Sequence, residues 1–314
     1  MTKIFFATDI HGSEKCWKKF ISAGIFYEAS TLILGGDMTG KAIVPIIKEK
    51  EGLHRAFFLE QEHRLKTRQE LEHLTQAVRD RGYYPVHLDK DEISVLEGDK
   101  AKQEELFKKE TLETVRGWIE WAEERLKKTK IPCYVCPGND DTFEIDELFN
   151  QSDYIELVEG KVVQLPLDYQ MISTGWSNPT PWKTYRECSE EELESRIRES
   201  IDKLDPAKPS VFNIHPPPYG LGLDEAPELD ENLRPKYAGR ALIPVGSTAV
   251  RKLIEEYQPR LALFGHIHEA KGAIRCNKKT LCINPGSNYE QGVLMGALIN
   301  LEKDKIGEYQ LTTG

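Results

Sequence analysis

No apolar run in these 314 residues approaches the ~20 needed to span a bilayer, and Met1-Thr-Lys-Ile-Phe-Phe-Ala lacks the series of regions that makes a signal peptide. A cytoplasmic chain with no membrane partner is expected. Positive charge is also short, with 42 Lys and Arg against 52 Asp and Glu and a formal net charge of -10. Nonspecific binding to nucleic-acid phosphates needs a basic face, so the charge balance argues against that function class. Cysteine is sparse and scattered, at positions 16, 133, 136, 188, 276 and 282, which suits reduced buried thiols better than a disulfide framework. Cys133-Tyr-Val-Cys136 has the spacing of a redox pair, but it lies inside an apparent strand and lacks the turn-to-helix setting that activates a thiol. What the chain does have is 39% hydrophobic and 30% charged residues, enough for one large domain with an insertion or for two domains.

The informative pattern is a repeated event. Lys3 to Thr8 is a short apolar run that delivers Asp9-Ile-His11; Thr31 to Leu34 runs into Gly35-Gly-Asp37; Ile131 to Cys136 runs into Pro137-Gly-Asn139-Asp-Asp141. Ser210 to Ile214 then ends at His215, and Leu261 to Phe264 at Gly265-His266-Ile-His268. One aspartate after a strand is commonly a turn or helix cap, and one His-x-His pair is often solvated. Five occurrences in one chain are not accounted for that way. In an open α/β sheet the carboxyl ends of strands share one edge, where ligand sites form. Residues i and i+2 of an extended segment project to the same side, so Asp9 with His11, and His266 with His268, point together. Two Asp, one Asn and four His form an oxygen and nitrogen donor set without thiolate, which suits two divalent cations of the Mn, Fe, Zn or Co type.

The ordered series Asp9-x-His11, Gly36-Asp37, Gly138-Asn139, His215 and Gly265-His-x-His268 resembles the calcineurin-like metallophosphoesterase superfamily over nearly the whole chain. The resemblance implies an α/β fold, a four-layer α-β-β-α sandwich of two mixed sheets between helices. It implies one metal held by Asp9, His11, Asp37 and His268 and a second held by Asp37, Asn139, His215 and His266, with manganese or iron first and zinc, cobalt or nickel as alternatives. The implied activity is hydrolysis of a small phosphoester, nucleotide-like substrates among them, by a hydroxide bridging the two ions. One position departs: many members carry Gly-Asn-His before an acidic residue, and that His helps protonate the leaving group, whereas here it is Asp140. An Asp beside two cations is pushed toward the carboxylate, so a weak acid role is expected of Asp140, and Asp141 is expected to orient a ligand. Without that His, phosphodiesters with good leaving groups are the expected substrates. A phosphomonoesterase or nucleotidase on the same site, or a metal-binding scaffold, is the alternative.

The interval between Asp37 and Asn139 is long for this family, so one domain over 1–314 is expected, interrupted at about 42–110 by a helical or α+β cap or dimerisation arm, through which a homodimer is open. Ala42 to Ile47 and Ala56 to Leu59 read as paired strands, and Leu71, Leu74 and Val78 as one face of a helix closed by Gly82. Val115, Trp118, Ile119, Ala122 and Leu126 mark a second long helix whose later half packs on the sheet. His54, His63, His73 and His87 fall here and read as surface or structural. Tyr154 to Leu157, Lys161 to Leu165 and Tyr169 to Ser173 read as strands of the second sheet. Trp176 and Trp182 flank a Pro-rich loop suited to stacking a flat group or to plugging the core. Ser189 with Glu192 reads as a capping box, 216–246 as irregular with Tyr219, Arg234, Lys236 and Arg240 as polar candidates, and Val293 to Leu301 with Ile306 to Leu311 as a terminal hairpin.

Overall fold

The computed structural model describes residues 2–303 and 305–314. The chain opens with β1 (Thr2–Ala7), whose Ile4, Phe5 and Phe6 are buried on both faces as in a covered parallel strand. Ser13 caps α1 (Glu14–Phe26) by accepting from the Cys16 amide, and Trp17, Phe20 and Ile21 face inward from that helix. After β2 (Thr31–Leu34) come β3 (Ala42–Lys48), β4 (His54–Phe58), β5 (Gln61–Leu65), α2 (Arg68–Asp80) and β6 (Tyr83–Leu88). Two more helices follow, α3 (Lys90–Glu97) and the 30-residue α4 (Lys100–Thr129). The third motif lies between β7 (Cys133–Val135) and α5 (Glu144–Asn150), and β8 (Ile155–Leu157) closes this half.

The second half contains β9 (Val162–Gln164), β10 (Gln170–Thr174), α6 (Glu190–Ile201), β11 (Ser210–Ile214), β12 (Glu225–Pro227), β13 (Leu242–Pro244), α7 (Thr248–Tyr257), β14 (Leu261–Leu263), β15 (Gly272–Cys276), β16 (Thr280–Asn284), β17 (Met295–Leu301) and β18 (Ile306–Thr313). Two six-stranded sheets result, in the orders β18-β17-β1-β2-β7-β8 and β15-β16-β14-β11-β10-β9. Both are mixed: the central strands run parallel, whereas β17, β18, β15 and β9 are antiparallel to their neighbours.

Ile4, Phe6 and Ile33 of the first sheet pack with Met171, Val211, Leu261 and Leu263 of the second in one buried cluster. Each such side chain contributes about 1.5–3 kcal/mol on full burial. On the outer face of the first sheet α1, α4 and α5 cover Phe5, Leu32 and Val135, with the Trp17 and Trp118 rings stacked at 5.3 Å. On the outer face of the second sheet α6 and α7 cover Phe212 and Phe264. This is the expected α-β-β-α sandwich, with seven α-helices among the described residues. Register decides what it presents: Ala7 pairs with Leu34, Leu34 with Val135, and Asn213 with Leu263, so the motif-bearing strands end level within each sheet.

The five strands do not share one sheet edge, since β1, β2 and β7 belong to one sheet and β11 and β14 to the other. The strand over Tyr154 to Leu157, expected in the second sheet, is β8, which pairs parallel with β7 in the first. Its Ile-Glu-Leu alternation fits an edge of either sheet, so neighbour choice is tertiary. The stretch 216–246 is not wholly irregular, because β12 and β13 pair within it. The Ser189 box is half made: Ser189 accepts from the Glu192 amide, but the Glu192 carboxylate turns to Arg196 at 2.6 Å. Residues 42–88 fold as a four-stranded sheet, β5-β4-β3-β6, with α2 closing a small core of Val44, Ile46, Phe58, Leu74 and Val78. No helix among the described residues is long and apolar enough to cross a membrane.

Candidate metal centre

The loops after β1 and β2 are stitched side by side, by amide donation from Asp9 to the Gly36 carbonyl (2.9 Å), from His11 to Asp37 (2.9 Å) and from Gly12 to Met38 (2.7 Å). Asp9, His11, Asp37 and His266 all take positive φ (51°, 37°, 49° and 67°), a region uncommon for residues with a side chain. Such strain persists only where the surroundings over-determine it, and it gathers at functional sites. Gly36 sits at φ 140°, and a Cβ there would lie 2.3 Å from His215 Nδ1. Only glycine lets the second loop approach the second sheet this closely.

The third loop is tied down by Asp141. Its buried carboxylate accepts from the amides of Met38, Thr39 and Gly138 and from the Thr39 hydroxyl, all at 2.8–3.0 Å. Asp141 therefore ties the Gly-Asn-Asp loop to the Asp37 loop through backbone amides. The Asp140 amide donates to Asp37 Oδ1 at 2.9 Å. Across the sheets, His215 Nδ1 donates to the Gly35 carbonyl at 3.2 Å, and its Nε2 is aimed at Asp37 Oδ2, 3.4 Å away. The His266 amide donates to the Asp9 carboxylate at 3.0 Å, and His268 Nε2 lies 3.5 Å from Asp9 Oδ1. Ser287, in the Asn-Pro-Gly-Ser turn, donates to the Asp9 carbonyl at 2.6 Å.

Ligand atoms of Asp9, His11 and His268 lie within 4.8 Å of one another, as do those of Asp37, His215 and His266, and a third group joins His11, Asp37 and Asp140. Asp37 Oδ2 is 3.6 Å from His11 Nε2, so this carboxylate faces both triads. Asn139 Oδ1 and His215 Nε2 are buried without a hydrogen-bond partner, and the Nε2 atoms of His11 and His268 meet at 3.0 Å. Buried polar atoms are nearly always satisfied. A pair of divalent cations would satisfy these, and the O/N donor chemistry suits them.

The electrostatics are those of a cluster that shares too few protons. Burial disfavours the charge on His215, but Asp37 and Asp9 outweigh it and lift its pKa to about 9. His268 is also raised, since its bond to Asp9 overcomes burial. Burial and the charge of His215 push His266 down to about 4, and burial with the charge of Lys41 lowers His11. Asp9 and Asp37 stay well below the usual carboxylate range, because the imidazoles outweigh their burial. Asp140 goes the other way. Burial and the Asp37 charge raise it to about 6, against Lys41.

Two groups near the site carry no signal in the sequence. Lys41 Nζ lies 3.1 Å from Asp140 Oδ2. Arg186 is 1% exposed; it donates to the carbonyls of Asp141 and Thr142 and to the Asp146 carboxylate, while the neighbouring Thr184 hydroxyl accepts from Asn139 Nδ2 at 2.7 Å. Replacing Arg186 by Met should destabilise the fold by about 3 kcal/mol, because it strands two buried carbonyls and a carboxylate. Urea denaturation reads this directly, and a change below the measurement error would show the network to be incidental. Of the remaining candidates, Lys236 is paired with Glu228, Trp182 is exposed, and Trp176 is half-buried under Arg196. His54 and His87 meet edge to face on the separate sheet. All six thiols are buried and unpaired, and burial raises both Cys133 and Cys136, which agrees with a structural CxxC.

The chain is similar to known proteins in sequence and in fold. The chain is 32% identical over 156 residues to an uncharacterized protein of Methanocaldococcus jannaschii, MJ1162, a match covering 48% of this chain and 61% of that relative's length. The solved structure of TT1561 of Thermus thermophilus superposes with a TM-score of 0.55 at 14% identity, covering 100% of this chain and 98% of that one, which speaks for the fold alone. The sequence model of the calcineurin-like phosphoesterases matches residues 2–270, and the chain belongs to that family of metal-dependent phosphoesterases.

Proposed function

We propose that the chain hydrolyses phosphodiesters with good leaving groups, aryl or nucleotide-type. The observation that carries the reading is the placement of Asp140 beside the two triads, in the position where an imidazole would otherwise protonate a leaving group. Asp9, His11, Asp37 and His268 would hold one cation, and Asp37, Asn139, His215 and His266 the other. When bound, two such ions supply Lewis-acid charge and a water of lowered pKa for an in-line displacement. The chain's own residues set the geometry. Asp141 and Arg186 fix the loop carrying Asn139, the Gly35 carbonyl fixes the His215 ring, and Asp9 aligns the His266 backbone. Asp140 competes poorly as an acid once cations neighbour it, so the leaving group has to depart largely unassisted. Residues 42–110 are read as an inserted cap beside the mouth, since 42–88 carry their own sheet and core.

The test is hydrolysis of bis-p-nitrophenyl phosphate, p-nitrophenyl phosphate and an alkyl monoester after chelator treatment and addition of Mn²⁺. Aryl diester cleavage is expected to exceed alkyl monoester cleavage by about a hundredfold or more, the lower end of what a positioned general acid contributes. An alkyl monoester turned over faster than the diester would give the site to a phosphomonoesterase or nucleotidase.

A further inference from the structure

We propose that Lys41 is a substrate-positioning residue, whose ammonium, held against Asp140 at the mouth of the site, receives the non-bridging oxygens of an entering phosphoryl group. The inference rests on the phosphoesterase reading and deepens it. Lys41 stands four residues past Asp37, where the second motif loop leaves for β3. Its backbone is fixed: the Gly40 amide donates to the buried Tyr84 hydroxyl at 2.7 Å, and a Cβ on Gly40 would lie 2.5 Å from the Gly82 carbonyl. The ammonium is 3.1 Å from Asp140 Oδ2, and that oxygen is 3.9 Å from His11 Nδ1. Exposure increases outward along this line, from 4% for the Asp37 side chain to 22% for Asp140 and 47% for Lys41. The cation is therefore the outermost charge of the cluster, reached from solvent.

Its chemistry suits that place. A phosphoryl group approaching the triads passes the Asp140 carboxylate, whose charge repels it; an ammonium beside that carboxylate removes the repulsion. Lysine has three donors on a flexible stem, so one can keep Asp140 while two turn to phosphate oxygens. The shift on Lys41 agrees: burial opposes its charge, but Asp140 and Asp37 outweigh burial and raise its pKa. A half-exposed ion pair contributes little to folding, so stability alone gives little reason for the arrangement. Among the described residues, Lys41 is the ammonium or guanidinium that forms an ion pair with this carboxylate and imidazole cluster.

The test measures binding of inorganic phosphate to the Mn²⁺-loaded full chain by calorimetry, alongside KM and kcat for the aryl diester, in wild type, Lys41→Met and Lys41→Arg. Loss of a charge-assisted contact should weaken phosphate about ten- to hundredfold and raise KM in step, with kcat changed less. Lys41→Arg should keep most of the affinity, because it keeps the charge, and circular dichroism should show all three folded. Phosphate affinity and KM in Lys41→Met equal to wild type would overturn the assignment, whatever happens to the melting temperature. So would a loaded wild type that binds no phosphate. A wild type that binds phosphate through Lys41 but cleaves no diester would instead leave this inference standing and sink the phosphodiesterase reading.

Discussion

Replacing Asp37 by Asn is expected to abolish metal-dependent turnover, by a factor on the order of 10³ or more, while the protein stays folded. The isosteric amide fits the backbone, because position 37 takes φ 49° and Asn tolerates that region at least as well as Asp. The carbonyl that receives the His11 amide is untouched, and the side-chain oxygen can still accept from the Asp140 amide at Oδ1. What is lost is the second anionic oxygen, which lies 3.4 Å from His215 Nε2 and 3.6 Å from His11 Nε2 and faces both triads. An amide nitrogen there presents hydrogens to both ions. Diester hydrolysis, metal content by mass spectrometry and a thermal melt together decide the matter. Turnover within tenfold of wild type would remove Asp37 from its proposed position between the cations.

Substituting Gly82 by Ala should instead act on the fold. Gly82 takes φ 86° at the turn after α2, and a Cβ there would lie 2.0 Å from the His11 carbonyl and 3.0 Å from the Tyr289 ring. Backbone strain and overpacking together should destabilise by about 2–4 kcal/mol. Because the displaced group is the backbone of His11, Mn²⁺ affinity should fall as well. Gly52 supplies the control: it takes φ 77° with nothing within 4 Å of its Cβ, so Gly52→Ala carries only the conformational penalty, about 1 kcal/mol, and leaves metal binding unchanged. Equal effects in both variants would show that the separate sheet does not bear on the site. The contact is the reason residues 42–88 matter to the chemistry: Ser13, just past the first motif, also donates to the Asp80 carbonyl at 2.6 Å.

Several elements could not be read locally, for identifiable reasons. β5 is Gln-Glu-His-Arg-Leu with only Leu65 buried, so it has no apolar alternation to betray it. β6 contains Pro85, which demotes a strand in sequence reading, and it lies at a sheet edge where proline is tolerated. Helix α3 fully buries no residue; its apolar pair, Ile93 and Leu96, is only partly buried, and the clearest signal is the Asp89 and Glu92 capping box at its start. Arg186 lies in Lys183-Thr-Tyr-Arg-Glu, a stretch that reads as solvated, yet it is among the largest fully buried side chains. Lys41 resembles any loop lysine.

The sequence by itself determined which residues stand at strand ends and in what order, because a strand buried on both faces must be a continuous apolar run and whatever follows it is displayed at the sheet's edge. Asp9, His11, Asp37, Asn139, His215, His266 and His268 were legible for that reason. Tertiary structure alone decided that these ends come from two sheets, that Asp37 faces both triads, and that Asp140 is paired with Lys41. Those outcomes depend on which strands become neighbours and which charges lose their water, and no local pattern encodes either.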